Sequence, residues 1–263
     1  MRKVISKDGT SIAFDKTGEG PAIILVNGAI QHRAFDPGTA KLAALLSKQF
    51  TVFNYDRRGR GDSGDSLPFA VEREIEDIEA LIKAAGGSAF VYGMSSGAAL
   101  AMHAAIKLGD MVKKLALYEA PYNSDDTAQK AWKEYTTQLK HLLKANLRGD
   151  AAALFLKLVG MPADQIEGMR LTPVWPTFEA VAPTLAYDAA ALGEYAAVPI
   201  EAAARVSVPT LVMDGGAGLA FMHITAAALA KAIPGAVHKT LEGQTHDVAP
   251  EALAPILEEF FAA

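Results

Sequence analysis

Phe90-Val91-Tyr92-Gly93-Met94-Ser95-Ser96-Gly97-Ala98 is an apolar run that turns through two glycines into an Ala-rich stretch, and its reading decides the fold. Gly93 and Gly97 stand two residues either side of Ser95. This is the G-x-S-x-G spacing of a strand-to-helix turn too tight for β-carbons at the flanking positions. Such a turn holds the Ser95 hydroxyl up and exposed. Ser96 opens the helix that follows, so its backbone N–H is one of the unpaired donors of a helix N-terminus and can face a developing oxyanion. So short a pattern of ordinary residues also arises by chance, and the bland alternative is a Gly/Ser-rich loop without chemistry. Partners elsewhere in the chain decide.

Outward from that turn, the pattern alternates. Ala22-Ile23-Ile24-Leu25-Val26 is too short for a helix and β-branched enough for a strand buried on both faces. Helices are expected around Thr39–Leu46, Val71–Ala85 and Ser96–Lys107, each followed by a strand, at Thr51–Tyr55, Ala89–Tyr92 and Lys114–Tyr118. Strand–helix–strand alternation implies a mostly parallel sheet with helices on both faces. Before it, strand patterns at Lys3–Ile5 and Ser11–Lys16 flank Asp8-Gly9-Thr10, a hairpin signal that makes the opening antiparallel. From about Tyr122 to Val206 the alternation stops in favour of Ala-rich helical segments broken by Pro162, Pro173, Pro176, Pro183 and Pro199. The sheet resumes at Val208–Met213 and Val237–Leu241, with helices near Ile224–Lys231 and Glu251–Phe261. The expected fold is α/β, a mostly parallel eight-stranded sheet whose core comprises residues 1–121 and 207–263, with 122–206 inserted as a helical cap.

Composition narrows the function. The chain has 263 residues, 51% of them hydrophobic, enough for a sizeable core in one domain with an insertion. A net charge of −5 with scattered basic residues leaves no footprint for nucleic acid or an anionic membrane, and a small neutral substrate fits better. The absence of cysteine excludes disulfides, thiolate nucleophiles and Cys-held metal. No apolar signal segment or membrane-length run is found, so a cytoplasmic protein is expected.

Gly59-Arg60-Gly61-Asp62-Ser63-Gly64 satisfies G-x-G-x-x-G, but a dinucleotide site needs its third glycine inside the opening helix. Here Asp65, Ser66, Leu67 and Pro68 intervene, so the glycines read as a tight loop pinned by Asp56 and Arg58, and no cofactor is expected. Of six histidines, His246 stands just past the last strand, at the carboxyl edge of the sheet where open α/β folds place their ligands. His103 falls in a helix, His141 and His223 on helical or loop surface, and His238 within a strand. His32, after the first buried strand, could touch substrate. No histidine pair has metal-ligand spacing with a carboxylate, so no metal is expected. Asn27-Gly28-Ala29 leaves the strand at the same edge, and a backbone N–H there, that of Ala29 or else Gly28, can complete a two-donor oxyanion hole with Ser96.

The serine, the histidine and their order resemble the α/β-hydrolase superfamily over essentially the whole chain. Asn27-Gly28 stands where many members have His-Gly, and Asp56-Arg57-Arg58-Gly59-Arg60-Gly61-Asp62-Ser63 resembles their loop after the next strand. Gly93-Met94-Ser95-Ser96-Gly97 followed by Leu117-Tyr118-Glu119-Ala120-Pro121 is similar to zearalenone-type lactonases and acyl-homoserine-lactone hydrolases. That resemblance implies a Ser95–His246–Glu119 triad. The commonest superfamily pattern would place the acid at Gly218, which cannot serve, while Asp214 ends a strand at the same edge and stays an alternative to Glu119. The expected activity is metal-free hydrolysis of a lactone or carboxylic ester of a hydrophobic small molecule, with Trp175 and Tyr187 of the apolar, charge-poor stretch 174–187 helping to line the pocket. Hydrolysis of a C–C bond in a ring-cleavage diketone, or ligand reception with little turnover, would suit the same fold.

Overall fold

The computed structural model describes residues 1–263. Eight strands form one sheet: β1 (Arg2–Ile5), β2 (Ser11–Thr17), β3 (Ala22–Val26), β4 (Thr51–Tyr55), β5 (Ala89–Met94), β6 (Val112–Tyr118), β7 (Thr210–Gly215) and β8 (Val237–Leu241). Their order is β1-β2-β4-β3-β5-β6-β7-β8. β1 and β2 run antiparallel, β2 joins β4 antiparallel, and every other pairing is parallel. The fold is therefore the mostly parallel α/β arrangement expected from the alternating pattern.

Successive side chains of the central strands face opposite layers, so an unbroken apolar run is what a strand covered on both sides requires. Ile24 and Val26 of β3, Val91 of β5 and Leu117 of β6 join a core with α2 (Val71–Ala84), α3 (Ser96–Leu108) and α10 (Ala220–Ala232). Ile23, Leu25, Tyr92 and Tyr118 face the other way, onto α1 (Pro37–Leu46) and α11 (Pro250–Ala262). The chain leaves β3 to one side for β4 and then crosses back to β5 on the other. A switch of this kind opens a crevice at the carboxyl ends of the two strands, beside Asn27 and Ser95.

Between β6 and β7 no strand forms, only one isolated bridge between Asn123 and Ala197, and the segment is helical: α4 (Asp126–Lys144), α5 (Arg148–Leu158), α6 (Ala163–Arg170), α7 (Trp175–Val181), a 3-10 turn at Ala182–Thr184, α8 (Leu185–Leu192) and the single turn α9 (Ile200–Ala203). Pro162 and Pro199 sit at the N-caps of α6 and α9, and Pro176 lies in the first turn of α7, where a missing N–H removes no helical hydrogen bond. These helices carry their own apolar cluster around Tyr135, Leu156, Trp175 and Phe178, which also takes in Ala29, Ile30 and Phe35 from the loop after β3.

Most boundaries fall within two residues of expectation, β7 among them at Thr210–Gly215 rather than Val208–Met213, and the starts of two helices have a local bearing on the site. α1 begins at Pro37 because Asp36 caps it, its carboxylate accepting from Thr39 N at 3.0 Å, with Pro37 in the first turn. α10 begins at Ala220 rather than near Ile224, which puts His223 in the helix's first turn.

Candidate active site

The elbow is built as its glycines demand. A Cβ on Gly97 would overlap the carbonyl oxygens of Val26 and Asn27, and one on Gly93 would run into α3 at Ala101. Only the bare backbone lets α3 pack against the end of β3. Ser95 adopts φ 54°, ψ −132°, a conformation rare for a residue with a side chain, and its N–H is held by Tyr118 O at 2.9 Å. Strain of this kind persists only where the surroundings impose it.

Beside it, Gly28 lies so close that an added Cβ would stand 2.9 Å from Ser95 Cβ. The Gly28 N–H donates to Gln31 Oε1 at 2.7 Å. Ala29 N–H makes no hydrogen bond. Of the two candidate donors in this loop, Ala29 is thus the one left available, alongside Ser96 N–H in the first turn of α3.

Glu119 follows β6 with φ 44° and is 2% exposed. Its Oε1 accepts from Gly215 N at 2.9 Å, and its Oε2 lies 2.7 Å from His246 Nδ1. A carboxylate oxygen accepts, so Nδ1 carries the proton and Nε2 is the basic nitrogen of the neutral ring. The loop bearing His246 is tied down just before it, since Tyr118 Oη donates to Thr245 O at 2.5 Å and Ala217 N to Gln244 O at 2.8 Å. No hydrogen bond joins Ser95 Oγ to His246 in this conformation. Such bonds are often long before substrate arrives.

Asp214 meets other partners. Fully buried at 0% exposure, it accepts from His238 at 2.6 Å and Thr240 Oγ1 at 3.2 Å through Oδ1, and from His223 at 2.8 Å through Oδ2. It is not bonded to His246. Asp214, His223 and His238 bring their ligand-type atoms within 4.8 Å of one another. Spacing along the chain could not reveal that cluster. As it stands, its hydrogen bonds are already closed.

The expected pocket residues separate. His32 is buried, stacked on Phe35 at 5.7 Å, with Nδ1 unpartnered. Burial pulls its pKa below the usual histidine value, with the charges of Asp56 and Arg60 acting in opposite directions, so the ring is neutral at neutral pH. Trp175 packs inside the helical cluster, its Nε1 donating to Glu179 at 3.1 Å. Tyr187 stacks flat on Phe69 at 3.7 Å and donates to Asp65 at 2.7 Å, fastening α8 to the loop after β4.

That loop carries more than its glycines and Asp56 indicate. Asp56 pins it as expected, through Arg33 N and Asp62 N, and residues 56–70 contain no helix that a phosphate-binding turn could open. Yet Arg57, Arg58 and Arg60 are buried almost completely. Arg58 grips Asp77 and Asp8, while Arg57 makes a paired contact with Glu74 at 2.7 and 2.8 Å. Asp188 of α8 meets Arg57, Arg60 and Ser96. A lone acid in Leu185-Ala186-Tyr187-Asp188-Ala189-Ala190-Ala191-Leu192 was the available signal, because an isolated charge on an apolar helix needs a buried partner.

A mostly parallel sheet with a strained serine after β5 and an acid–histidine pair joining the ends of β6 and β8 is the arrangement of an α/β hydrolase. The alpha/beta hydrolase family model matches residues 23–256, and the chain belongs to that family. An alpha/beta hydrolase from Sphaerobacter thermophilus DSM 20745 is 51% identical over 99% of this chain and 100% of its own, with a TM-score of 0.87. The enol-lactonase from Burkholderia xenovorans LB400 is 23% identical, covers 100% of both chains and has a TM-score of 0.70. A thermophilic esterase from Thermogutta terrifontis is 22% identical over 99% of this chain and 97% of its own, at a TM-score of 0.71. At the last two identities the likeness is one of fold. No helix is long and apolar enough to cross a membrane.

Proposed function

We propose that this hydrolase cleaves a lactone or carboxylic ester of a hydrophobic small molecule through Ser95, His246 and Glu119. The observation that carries the reading is the 2.7 Å contact between Glu119 and His246 Nδ1, at the same sheet edge as the strained Ser95. It leaves Nε2 as the base. His246 takes the Ser95 proton as Oγ attacks the carbonyl, and the Ala29 and Ser96 N–H groups receive the oxyanion. His246 then returns the proton to the leaving oxygen, and water, activated by the same nitrogen, releases the acid. Residues 122–206 act as a cap on a core of 1–121 and 207–263, their apolar cluster meeting Ala29 and Ile30 beside the serine. That apolar contact favours a hydrophobic acyl or ring substrate. The names of two similar folds, an enol-lactonase and an esterase, are compatible with this chemistry.

The test is turnover of p-nitrophenyl butyrate. Wild type releases nitrophenolate, and Ser95→Ala loses about 10⁴-fold or more in kcat while keeping its melting temperature. Activity surviving in Ser95→Ala but lost in Ser96→Ala would overturn the assignment of the nucleophile.

A further inference from the structure

One buried carboxylate joins the helical segment to both halves of the proposed oxyanion hole. Asp188 Oδ1 accepts from Ser96 Oγ at 2.8 Å and from Arg57 Nη1 at 2.6 Å, and Oδ2 accepts from Arg60 Nη2 at 2.8 Å. Two of the three donors, Ser96 and Arg60, lead to an oxyanion-facing group. Ser96 carries one of the two N–H donors on its own backbone. Arg60 Nη1 donates to Gly28 O, the carbonyl of the same peptide whose N–H belongs to Ala29. Arg57 Nη1 also donates to Asn27 O at 3.2 Å, one peptide earlier. A hydrogen bond received at a peptide carbonyl polarises that peptide and strengthens its N–H as a donor.

Seating a helix does not require this. Apolar side chains would dock α8 without dehydrating four charges, and a buried ionic cluster is weak evidence of stabilisation. Here the charges are fully partnered. Glu74 occupies the remaining edge of Arg57, and Thr184 Oγ1 accepts from Arg60 Nε at 3.0 Å. Burial pushes the Asp188 carboxyl up, but Arg60 and Arg57 outweigh it and hold the group below the usual carboxylate range. Burial also opposes the charge on Arg60, yet a guanidinium stays protonated at any ordinary pH.

We propose that Asp188 is a positioning residue that couples the seating of α8 to the placement of the Ala29 and Ser96 N–H donors. The proposal rests on the serine-hydrolase reading above. Asp188 touches no substrate; it acts through Ser96, Arg57 and Arg60. A displaced helix would loosen the oxyanion hole while Ser95, His246 and Glu119 remained in place.

Ser96→Ala, Asp188→Asn and the double variant are assayed on p-nitrophenyl butyrate for kcat and KM and by thermal melting, with Ser95→Ala as control. Ser96→Ala keeps the backbone donor and removes one side-chain bond. It should lower kcat about tenfold, less than the roughly 10²–10³ lost with an outright donor, and leave KM within about twofold. Asp188→Asn should lower kcat by roughly ten- to a hundredfold, and the double variant should be no worse, because both changes break the same contact. Should Asp188→Asn fail to fold, Ser96→Ala alone decides. An unchanged kcat in Ser96→Ala, or effects that multiply in the double variant, overturns the positioning role. If Ser95→Ala itself still turns over, the failure lies in the serine-hydrolase reading and not in Asp188.

Discussion

Glu119 and Asp214 are two buried acids at the carboxyl ends of adjacent strands, and the chain uses them differently. Asp214 lies inside β7 in regular backbone, with its side chain directed across the sheet to His238 on β8 and His223 on α10. Glu119 stands one residue beyond β6, and its left-handed backbone, together with the extra methylene of Glu, carries the carboxylate to Gly215 N and His246. Strand position alone would favour either. What separates them is the turn after the strand, which frees Glu119 from the ladder's alternation, whereas Asp214 remains bound by it. The two are also linked, since the Gly215 N–H that holds Glu119 belongs to the residue after Asp214.

The largest effect expected from this contrast is on turnover. Glu119→Gln should lower kcat by up to about 10⁴-fold, since an amide misorients the histidine, whereas Asp214→Asn should stay within about tenfold of wild type. A crippled Asp214→Asn beside a near-normal Glu119→Gln would reverse the roles. The next effect should appear in stability alone. His223→Ala combined with His238→Ala strips the buried Asp214 of two donors, and chemical denaturation should register a loss of about 1–3 kcal/mol with turnover retained. Turnover collapsing in step with stability would show that β7 carries the site as much as β6 does.

The smallest effect concerns acid, and it sharpens the contrast by adding a further buried carboxylate, Asp188. Asp188 is held below its ordinary range, so its ionised form stabilises the fold fully above about pH 4, and that contribution fades as pH falls through the lowered value. Asp188→Asn lacks it at every pH. The stability gap between wild type and variant, measured by urea denaturation, should therefore be widest near neutrality and narrow below about pH 4. A gap that widens in acid would mean Asp188 is protonated in the native state.

Much of this was legible because it is local. Short apolar, β-branched or aromatic runs gave β3 and β4 to the residue, the glycines around Ser95 gave the elbow, and prolines marked where helices begin. The contrast of Ala29 with Gly28 was not legible, since it turns on the side chain of Gln31 reaching back to one N–H. Asp188 lay further out of reach, because Ser96 and the Arg57–Arg60 loop are 92 and 128–131 residues away and meet it only after the sheet closes and α8 docks. Trp175 and Tyr187 drew attention as aromatics in an apolar stretch, yet side chains of that kind also fill cores, and both have partners within the fold. The gathering of His223 and His238 on Asp214 depended on α10 starting four residues before the periodicity suggested.

Ser95, as the proposed nucleophile, should be activated where it stands. A fluorophosphonate reacts with such a serine and leaves an adduct that peptide mass mapping can locate. One adduct is expected, on the peptide containing Ser95, absent from Ser95→Ala and formed far more slowly in His246→Ala. An adduct on Ser96, or no adduct on a folded protein that still hydrolyses esters, would contradict it.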